Sequence, residues 1–292
     1  MADHIPPPLA EQLTLTPDGE DAFIGESPRD RRRIFGGLVI AQALVAASRT
    51  VEGRTAHALH VVFMRPGDPA RPIRYRVVRP FDGGSYSTRR VTACQGETEI
   101  FAMLASFHKP EPDAFTHAFP MPRVTPPEEL PSEEEVLKHL AAHLPEPLRK
   151  YLQGARMPVE VRLCEPQRML GEALPPERPR HVWFRIRERL PGDPLLHRAA
   201  LAYASDWTLL DVALSAHGRN LFDPRLIVAS IDHALWLHRD ARADDWLLYV
   251  QDSPAMQAGR GFTRGLIFAR DGKLAASVAQ EGVVRIRQKS AP

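Results

Sequence analysis

Three short polar phrases stand out in the second half of this chain because the residues around them are largely apolar. They are Tyr203-Ala204-Ser205-Asp206, Ala229-Ser230-Ile231-Asp232-His233 and Val278-Ala279-Gln280-Glu281-Gly282. Together they bring carboxylates, hydroxyls and a carboxamide. Burying an amide costs roughly 1–3 kcal/mol unless it is paired, so Gln280 on its apolar strand calls for polar partners. A carboxylate accepts a proton or a hydrogen bond, while a hydroxyl or an amide both donates and accepts. Side chains of these types can position a water between them. Competing chemistries lack their residues. No Gly-x-Ser-x-Gly elbow occurs, which disfavours a serine nucleophile. His217, His233 and His238 have no carboxylate or cysteine at metal-ligand spacing and read as structural. Cys94 and Cys164 lack metal spacing and any disulfide framework, and read as reduced thiols. His57, next to the strand leading into Arg65, is a weaker candidate for contact with substrate.

The elements that must position these groups come from a unit that occurs twice. Phe63-Met64-Arg65-Pro66, Gly84-Ser85-Tyr86-Ser87-Thr88-Arg89 and Phe101 to Phe107 recur as Trp236-Leu237-His238-Arg239, Gly259 to Arg264 and Leu274 to Glu281. Arg65 meets Arg239, Thr88 meets Thr263, and Ser106 meets Gln280. Two long copies suit a duplicated domain rather than a solenoid. In the first copy, Gly36 to Ser48 is apolar almost all round and must be buried on every face. It is too short to span a bilayer. Strands are expected at His57 to Met64, Ile73 to Val78, Ser85 to Gln95 and Glu99 to His108. The alternation of Tyr75 and Val77 with Arg74 and Arg76 predicts an antiparallel sheet with one wet face.

The second copy predicts strands at His181 to Arg187, Ile227 to His238, Trp246 to Asp252, Gly261 to Arg270 and Leu274 to Arg287. A helix is expected from Trp207 to Gly218, with Gly218 as its cap. That placement puts Asp206 at a helix N-terminus, where the dipole keeps a carboxylate ionised. A buried helix wrapped by a meandering antiparallel sheet is the hotdog layout. The expected fold class is therefore α+β, a tandem (double) hotdog with two antiparallel sheets, each wrapped around a buried central helix. The expected divisions are an N-terminal extension over 1–21, draped on the surface, and an N-terminal hotdog over 22–109. A Pro-rich linker with a helix from Ser132 to His143 follows over 110–180, then a C-terminal hotdog over 181–292 carrying the polar phrases.

Further phrases carry a resemblance. They include Phe35-Gly36-Gly37 with Ala41-Gln42-Ala43-Leu44, Arg65-Pro66-Gly67-Asp68, Ser205-Asp206, Asp232 to Arg239, Trp246-Leu247-Leu248-Tyr249, Gly259-Arg260-Gly261-Phe262 and Gln280-Glu281-Gly282. From about residue 22 to residue 285 the chain resembles the acyl-CoA thioesterase II family, the double-hotdog thioesterases. The resemblance implies hydrolysis of acyl-CoA to a free carboxylic acid and CoA, with no metal and no cofactor. It also implies an Asp, a Thr or Ser, and a Gln that hold the attacking water. Residue by residue these catalytic positions fall on Asp206, Ser230 and Gln280. Many relatives carry threonine where Ser230 stands; serine keeps the hydroxyl. Substrate contacts are expected at Gly37, through backbone N–H groups at the start of the buried helix that could bind an oxyanion, and at His57.

Two alternative readings are an enoyl-CoA hydratase/dehydratase and a non-catalytic acyl-CoA-binding protein. The first rests on Gly192-Asp193-Pro194-Leu195-Leu196-His197, which lacks the expected asparagine; the retained trio argues against the second. Hydrophobic content of 43% and charged content of 25% suit an ordinary globular protein, and a net charge of +2 implies no polyanionic partner. The N-terminus lacks a basic-then-apolar signal layout. The expected partners are an acyl-CoA substrate and further copies of the chain in a homo-oligomer, with no nucleic acid and no membrane insertion. The expected location is cytoplasmic.

Overall fold

The computed structural model describes residues 7–29, 33–132, 158–166, 177–221 and 223–287, with a few isolated positions between 132 and 177. Its helices are α1 (Leu9–Gln12), α2 (Gly36–Ser48), α3 (Pro194–Ser205) and α4 (Val212–Ser215). The strands of the first half are β1 (Thr16–Pro17), β2 (Ala22–Gly25), β3 (Thr55–Phe63), β4 (Ile73–Asp82), β5 (Tyr86–Gln95) and β6 (Thr98–His108). Those of the second are β7 (Val159–Leu163), β8 (Arg180–Ile186), β9 (Leu226–Ser230), β10 (Asp232–Leu237), β11 (Leu247–Gln257), β12 (Arg260–Ala269) and β13 (Leu274–Ile286).

Helix α2 has the predicted bounds, and every residue from Gly37 to Ala47 is buried, as an all-apolar helix requires. On β4, Ile73, Tyr75 and Val77 are buried while Arg74 and Arg76 are exposed, which is the predicted alternation. The one polar side chain deep in α2, Gln42, is fully paired. It accepts from the Tyr75 hydroxyl at 2.7 Å and donates to the Gln12 and Glu26 carbonyls at 2.6 and 2.9 Å. That pairing fixes the N-terminal residues to the core. Leu9, Leu13 and Leu15 are buried there and β1 pairs β2, so these residues are not draped over the surface.

The expected pair of sheets is corrected to one. Among the described residues, thirteen strands form a single sheet in the order β1-β2-β4-β5-β6-β3-β10-β13-β12-β11-β8-β7, with β9 also on β13. The join is the antiparallel pair β3–β10, running from Asp232 opposite Val62 to Trp236 opposite Ala58. An unpaired inner edge on each half would leave a row of backbone groups to satisfy, and each edge satisfies the other. The register also bears out the internal match: Thr88 lies opposite Ser106 as Thr263 lies opposite Gln280.

The helix expected from Trp207 to Gly218 is corrected as well. Only Val212–Ser215 is helical there, closed by Gly218 at φ 59. The central helix of the second half is α3, which begins at Pro194, thirteen residues before the expected Trp207, for a physical reason legible in its first turn. Asp193 caps it by accepting the Leu195 N–H at 2.9 Å, and Pro194 occupies a first-turn position where no N–H is needed. Alanines 199, 200, 202 and 204 then keep its buried face thin. Helices α2 and α3 pack directly on each other. A Cβ on Gly37 would overlap the Tyr203 carbonyl oxygen and the Phe35 ring, so that close approach requires glycine.

The long strand expected from Ile227 to His238 breaks at Ile231 into β9 and β10. Both parts pair with β13, β10 through Ala276 to Ala279 and β9 from Gly282 onward. Part of the expected linker also joins the sheet, since β7 pairs β8. Ser132 and Glu135 form the predicted helix start, each bonding the other's backbone N–H. The body of that helix lies outside the described residues.

Candidate active site

Asp206, Ser230 and Gln280 converge from three elements. Asp206 follows the last residue of α3, Ser230 ends β9, and Gln280 lies on β13, with Ser230 paired opposite Gly282. Residues two apart on a strand share a face, so the pairing sets Ser230 diagonally beside Gln280 on the inner face. The Gln280 amide nitrogen donates to Asp206 Oδ1 at 2.9 Å and to Ser230 Oγ at 2.6 Å. Its two hydrogens thus go to the two groups predicted from the sequence.

The break at Ile231 makes this possible. The Ile231 N–H donates to the Glu281 carbonyl, while Asp232 Oδ1 accepts the Glu281 N–H at 2.7 Å. The strand is thereby tied to β13 on both sides of the break, with Ser230 and His233 held on the side of Gln280. Irregularities of this kind commonly re-aim side chains next to functional sites.

The expected electrostatics of Asp206 are reversed. It lies at the C-terminal end of its own helix, so that dipole gives its charge no support. Its side chain is only 5% exposed, and burial pushes its pKa up to about 7 against the lowering hydrogen bonds of Gln280, the Gly37 N–H and Ser230. Gly37 belongs to the start of α2, so the helix terminus that faces this carboxylate comes from the other half of the chain. The Gly37 N–H, expected to contact substrate, is directed at Asp206. Gly36 instead lines the neighbouring cavity.

That cavity has a volume of about 500 Å³ and is bounded by both halves. Phe35, Val39, Phe63 and Phe101 come from the first half; Trp207, Leu210, Asp206 and Ser230 come from the second. Arg33 and Arg65 lie along it too. Phe35 sets its ring edge-on to Tyr203 at 5.0 Å and Trp207 at 5.1 Å, fastening the two halves at the site. Asp206 and Ser230 border the cavity, while Gln280, 1% exposed, braces them from behind.

His57 does not join the trio. Its Nε2 bonds Ser106 Oγ at 2.8 Å, and its ring meets Tyr86 and His108 edge-on, away from the residues that line the cavity. Ser106 is the register counterpart of Gln280, so the first half holds a histidine–serine pair where the second holds the site. Among the described residues no group of three or more His, Cys, Asp or Glu side chains could hold a metal ion. No described helix is long and apolar enough to cross a membrane.

The family model described as "Acyl-CoA thioesterase" matches residues 149–283, and one described as "Acyl-CoA thioesterase N-terminal domain" matches residues 26–108. The chain is 37% identical over 285 residues to the acyl-CoA thioesterase 2 of Haemophilus influenzae, covering 96% of this chain and 98% of that one. The chain belongs to the acyl-CoA thioesterase II family. Another member, human acyl-coenzyme A thioesterase 8, is 36% identical over 94% of this chain and 88% of its own length. A crystal structure of an acyl-CoA thioesterase II from Mycobacterium marinum is 39% identical, covers 96% of this chain and 99% of that one, and superposes with a TM-score of 0.78. A hot dog fold protein of unknown function from Alicyclobacillus acidocaldarius, 20% identical over 95% of this chain and 98% of that one, shares the fold with a TM-score of 0.74.

Within this thioesterase the sequence reading missed two neighbours of the trio. His233, taken as structural, is fully buried and bonds Gln280 Oε1 through Nδ1 at 3.3 Å; Ser205 Oγ bonds its other nitrogen at 2.9 Å. The signal was present: His233 alternates with Leu235 and Leu237 on an inward face, and a polar group there must be paired. Trp207, expected as the start of a helix, lines the cavity. The phrase quoted for a dehydratase serves the fold instead, Asp193 as the helix cap and His197 Nδ1 as acceptor of the Ala243 N–H at 3.1 Å.

Proposed function

We propose that Asp206, Ser230 and Gln280 hold the water that attacks the thioester carbonyl of an acyl-CoA in the cavity beside them. The overall reaction, acyl-CoA and water to a free carboxylic acid and CoA, follows from membership of the family. The observation that carries the role assignment is the pair of hydrogen bonds from the Gln280 amide to Asp206 and Ser230. Ser230 Oγ accepts from Gln280, so its own hydrogen points away from the amide, toward Asp206 and the cavity. A water beside Ser230 and Asp206 donates to the carboxylate and to the free lone pair of Ser230 Oγ, and keeps a lone pair for the carbonyl carbon.

Asp206 then takes the water's proton as the bond forms. A base is most effective when its pKa lies near the working pH, and the buried carboxyl at about 7 meets that condition. Thioesters are already activated acyl groups, so orientation and one proton acceptor supply much of what hydrolysis needs. The aromatic and aliphatic lining suits an acyl chain, and Arg33 and Arg65 suit the anionic part of CoA. The same proposal extends to a tandem hotdog of two fused units, to the division of the chain at 22–109 and 181–292, to a homo-oligomer and to a cytoplasmic location.

The test is free-thiol release from acyl-CoA by purified variants. Asp206→Asn is expected to lower kcat on the order of 10²-fold or more, as loss of a positioned base does, with acyl-CoA binding unchanged. Gln280→Ala is expected to lower it too, and the double variant to be little worse than Asp206→Asn, because both act on one water. Near-full turnover by Asp206→Asn would overturn the assignment.

A further inference from the structure

A carboxamide has two ends of nearly equal size, and only one serves this site. With its nitrogen toward Asp206 and Ser230, Gln280 donates to both; with its oxygen there, it would repel the carboxylate it is meant to hold. When Asp206 is protonated, neither it nor Ser230 selects the useful end, since a protonated carboxyl and a hydroxyl can donate to an amide oxygen as readily as accept from an amide nitrogen. We propose that His233 is the positioning residue that fixes the Gln280 amide, its Nδ1–H donating to Gln280 Oε1 while Ser205 holds the ring in that tautomer.

The geometry supports each link. Gln280 Oε1 lies 3.3 Å from His233 Nδ1, and an amide oxygen accepts only, so the ring proton belongs on Nδ1. Nε2 is then a bare lone pair, and Ser205 Oγ lies 2.9 Å from it and 2.9 Å from the Ala202 carbonyl oxygen, so its one hydrogen turns to the nitrogen when Nδ1 carries the ring proton. Ser205 sits at the last residue of α3, immediately before Asp206, so the element that carries the carboxylate also sets the ring that orients its partner. Tyr249 anchors the same residue by donating from its hydroxyl to the Ser205 carbonyl at 2.9 Å. His233, Ser205 and Gln280 are all within 1% of complete burial, so no bulk water substitutes for a lost partner.

The titratable and charged groups bearing on this chain are Asp206, 4.0 Å from His233 Nδ1, and Tyr249, which in turn feels Asp206 and Arg180. Burial pulls the imidazole pKa down to about 4, so the ring is neutral across the working range and does not carry the proton itself. It is a fixed dipole with a chosen end. Hydrogen bonds thus run in one direction, from Ser205 through His233 and Gln280 to Ser230, and end on the hydrogen that Ser230 gives to Asp206.

The inference rests on the role proposed above for Gln280, and the experiment separates the two. His233→Leu removes the donor and fills the space; His233→Asn places an amide N–H close to where Nδ1 stands. Thiol release is followed for both, with thermal stability measured alongside. His233→Leu is expected to lower kcat by at least about tenfold with KM within about twofold, because the loss falls on the transition state. With the Gln280 oxygen free to turn toward Asp206, the pH midpoint of kcat/KM is also expected to rise.

His233→Asn is expected to stay within about threefold of the parent kcat, with its pH midpoint restored, although the smaller side chain leaves the protein less stable. Packing alone predicts the reverse order. Ser205→Ala is expected to lower kcat and raise the midpoint in the same direction, and the Ser205→Ala/His233→Leu double variant to be no worse than His233→Leu. Should His233→Leu fail to fold, Ser205→Ala and His233→Asn carry the test. Parental kcat and pH midpoint in Ser205→Ala, or His233→Asn no better than a folded His233→Leu, overturns the inference. Inactive Asp206→Asn beside fully active His233→Leu overturns this inference alone, whereas active Asp206→Asn overturns the site reading beneath it.

Discussion

Asp206 and His233 lie 4.0 Å apart in the core, and burial drives both toward their neutral forms, the carboxyl upward and the imidazole downward. For activity the consequence is direct. The base must be ionised, so kcat/KM is expected to climb with pH through a midpoint near 7, measured by thiol release across a buffer series. For stability the two groups act in opposite directions. Native Asp206 keeps a proton that the unfolded chain releases between 3.8 and about 7, so its contribution falls as pH rises through that window. Native His233 refuses a proton that the unfolded chain takes up below 6.5, so its contribution falls as pH drops toward about 4. The melting temperature of Asp206→Asn, taken relative to the parent, is therefore expected to improve from about pH 4 to about pH 7 and to level off above it. A constant difference between the two melting curves across that range would contradict the buried-carboxyl account.

At the scale of elements, the site depends on how closely α2 and α3 approach. Gly37 meets the Tyr203 carbonyl, and its N–H faces Asp206, so one residue sets both the packing distance and the electrostatics. A methyl group there meets backbone oxygen, which cannot swing aside as a flexible side chain does. Gly37→Ala is accordingly expected to cost about 1–3 kcal/mol, as overpacking of a dense core does, read from the denaturation midpoint. It is also expected to move the pH midpoint of kcat/KM upward, because the Gly37 N–H lowers the Asp206 pKa and would be displaced. Unchanged stability would show that the helices have room to separate.

The two halves form one structural body. Their strands join at β3–β10, a single buried cluster includes Leu38 and Leu44 of α2 with Leu201 and Tyr203 of α3, and the cavity takes walls from both. Unfolding is therefore expected to be cooperative across the chain. All four tryptophans, Trp183, Trp207, Trp236 and Trp246, lie in the second half, whereas far-ultraviolet circular dichroism reports on both halves. Coincident transitions by tryptophan fluorescence and circular dichroism are the expected result, and this is the standard test of two-state behaviour. Separate midpoints would mean that the seam between β3 and β10 is weaker than its continuous pairing implies.

Some of this was readable from residue order alone. Helix α2 was legible because a helix apolar on all sides has only one environment open to it, and β4 because Arg74 and Arg76 alternate with Ile73, Tyr75 and Val77. Gln280 was legible because an amide on an apolar strand demands partners, and the internal match was legible because Thr88 and Thr263 keep their places beside Ser106 and Gln280. Tertiary structure decided the rest. The chain order gives no distance between β3 and β10, so the union of two sheets into one could not be read. Nor could the environment of Asp206, which is set by Gly37, Gln280 and Ser230 arriving from distant positions. A carboxylate's charge depends on the total of its neighbours and its hydration, and both are properties of the folded space around it rather than of its place along the chain.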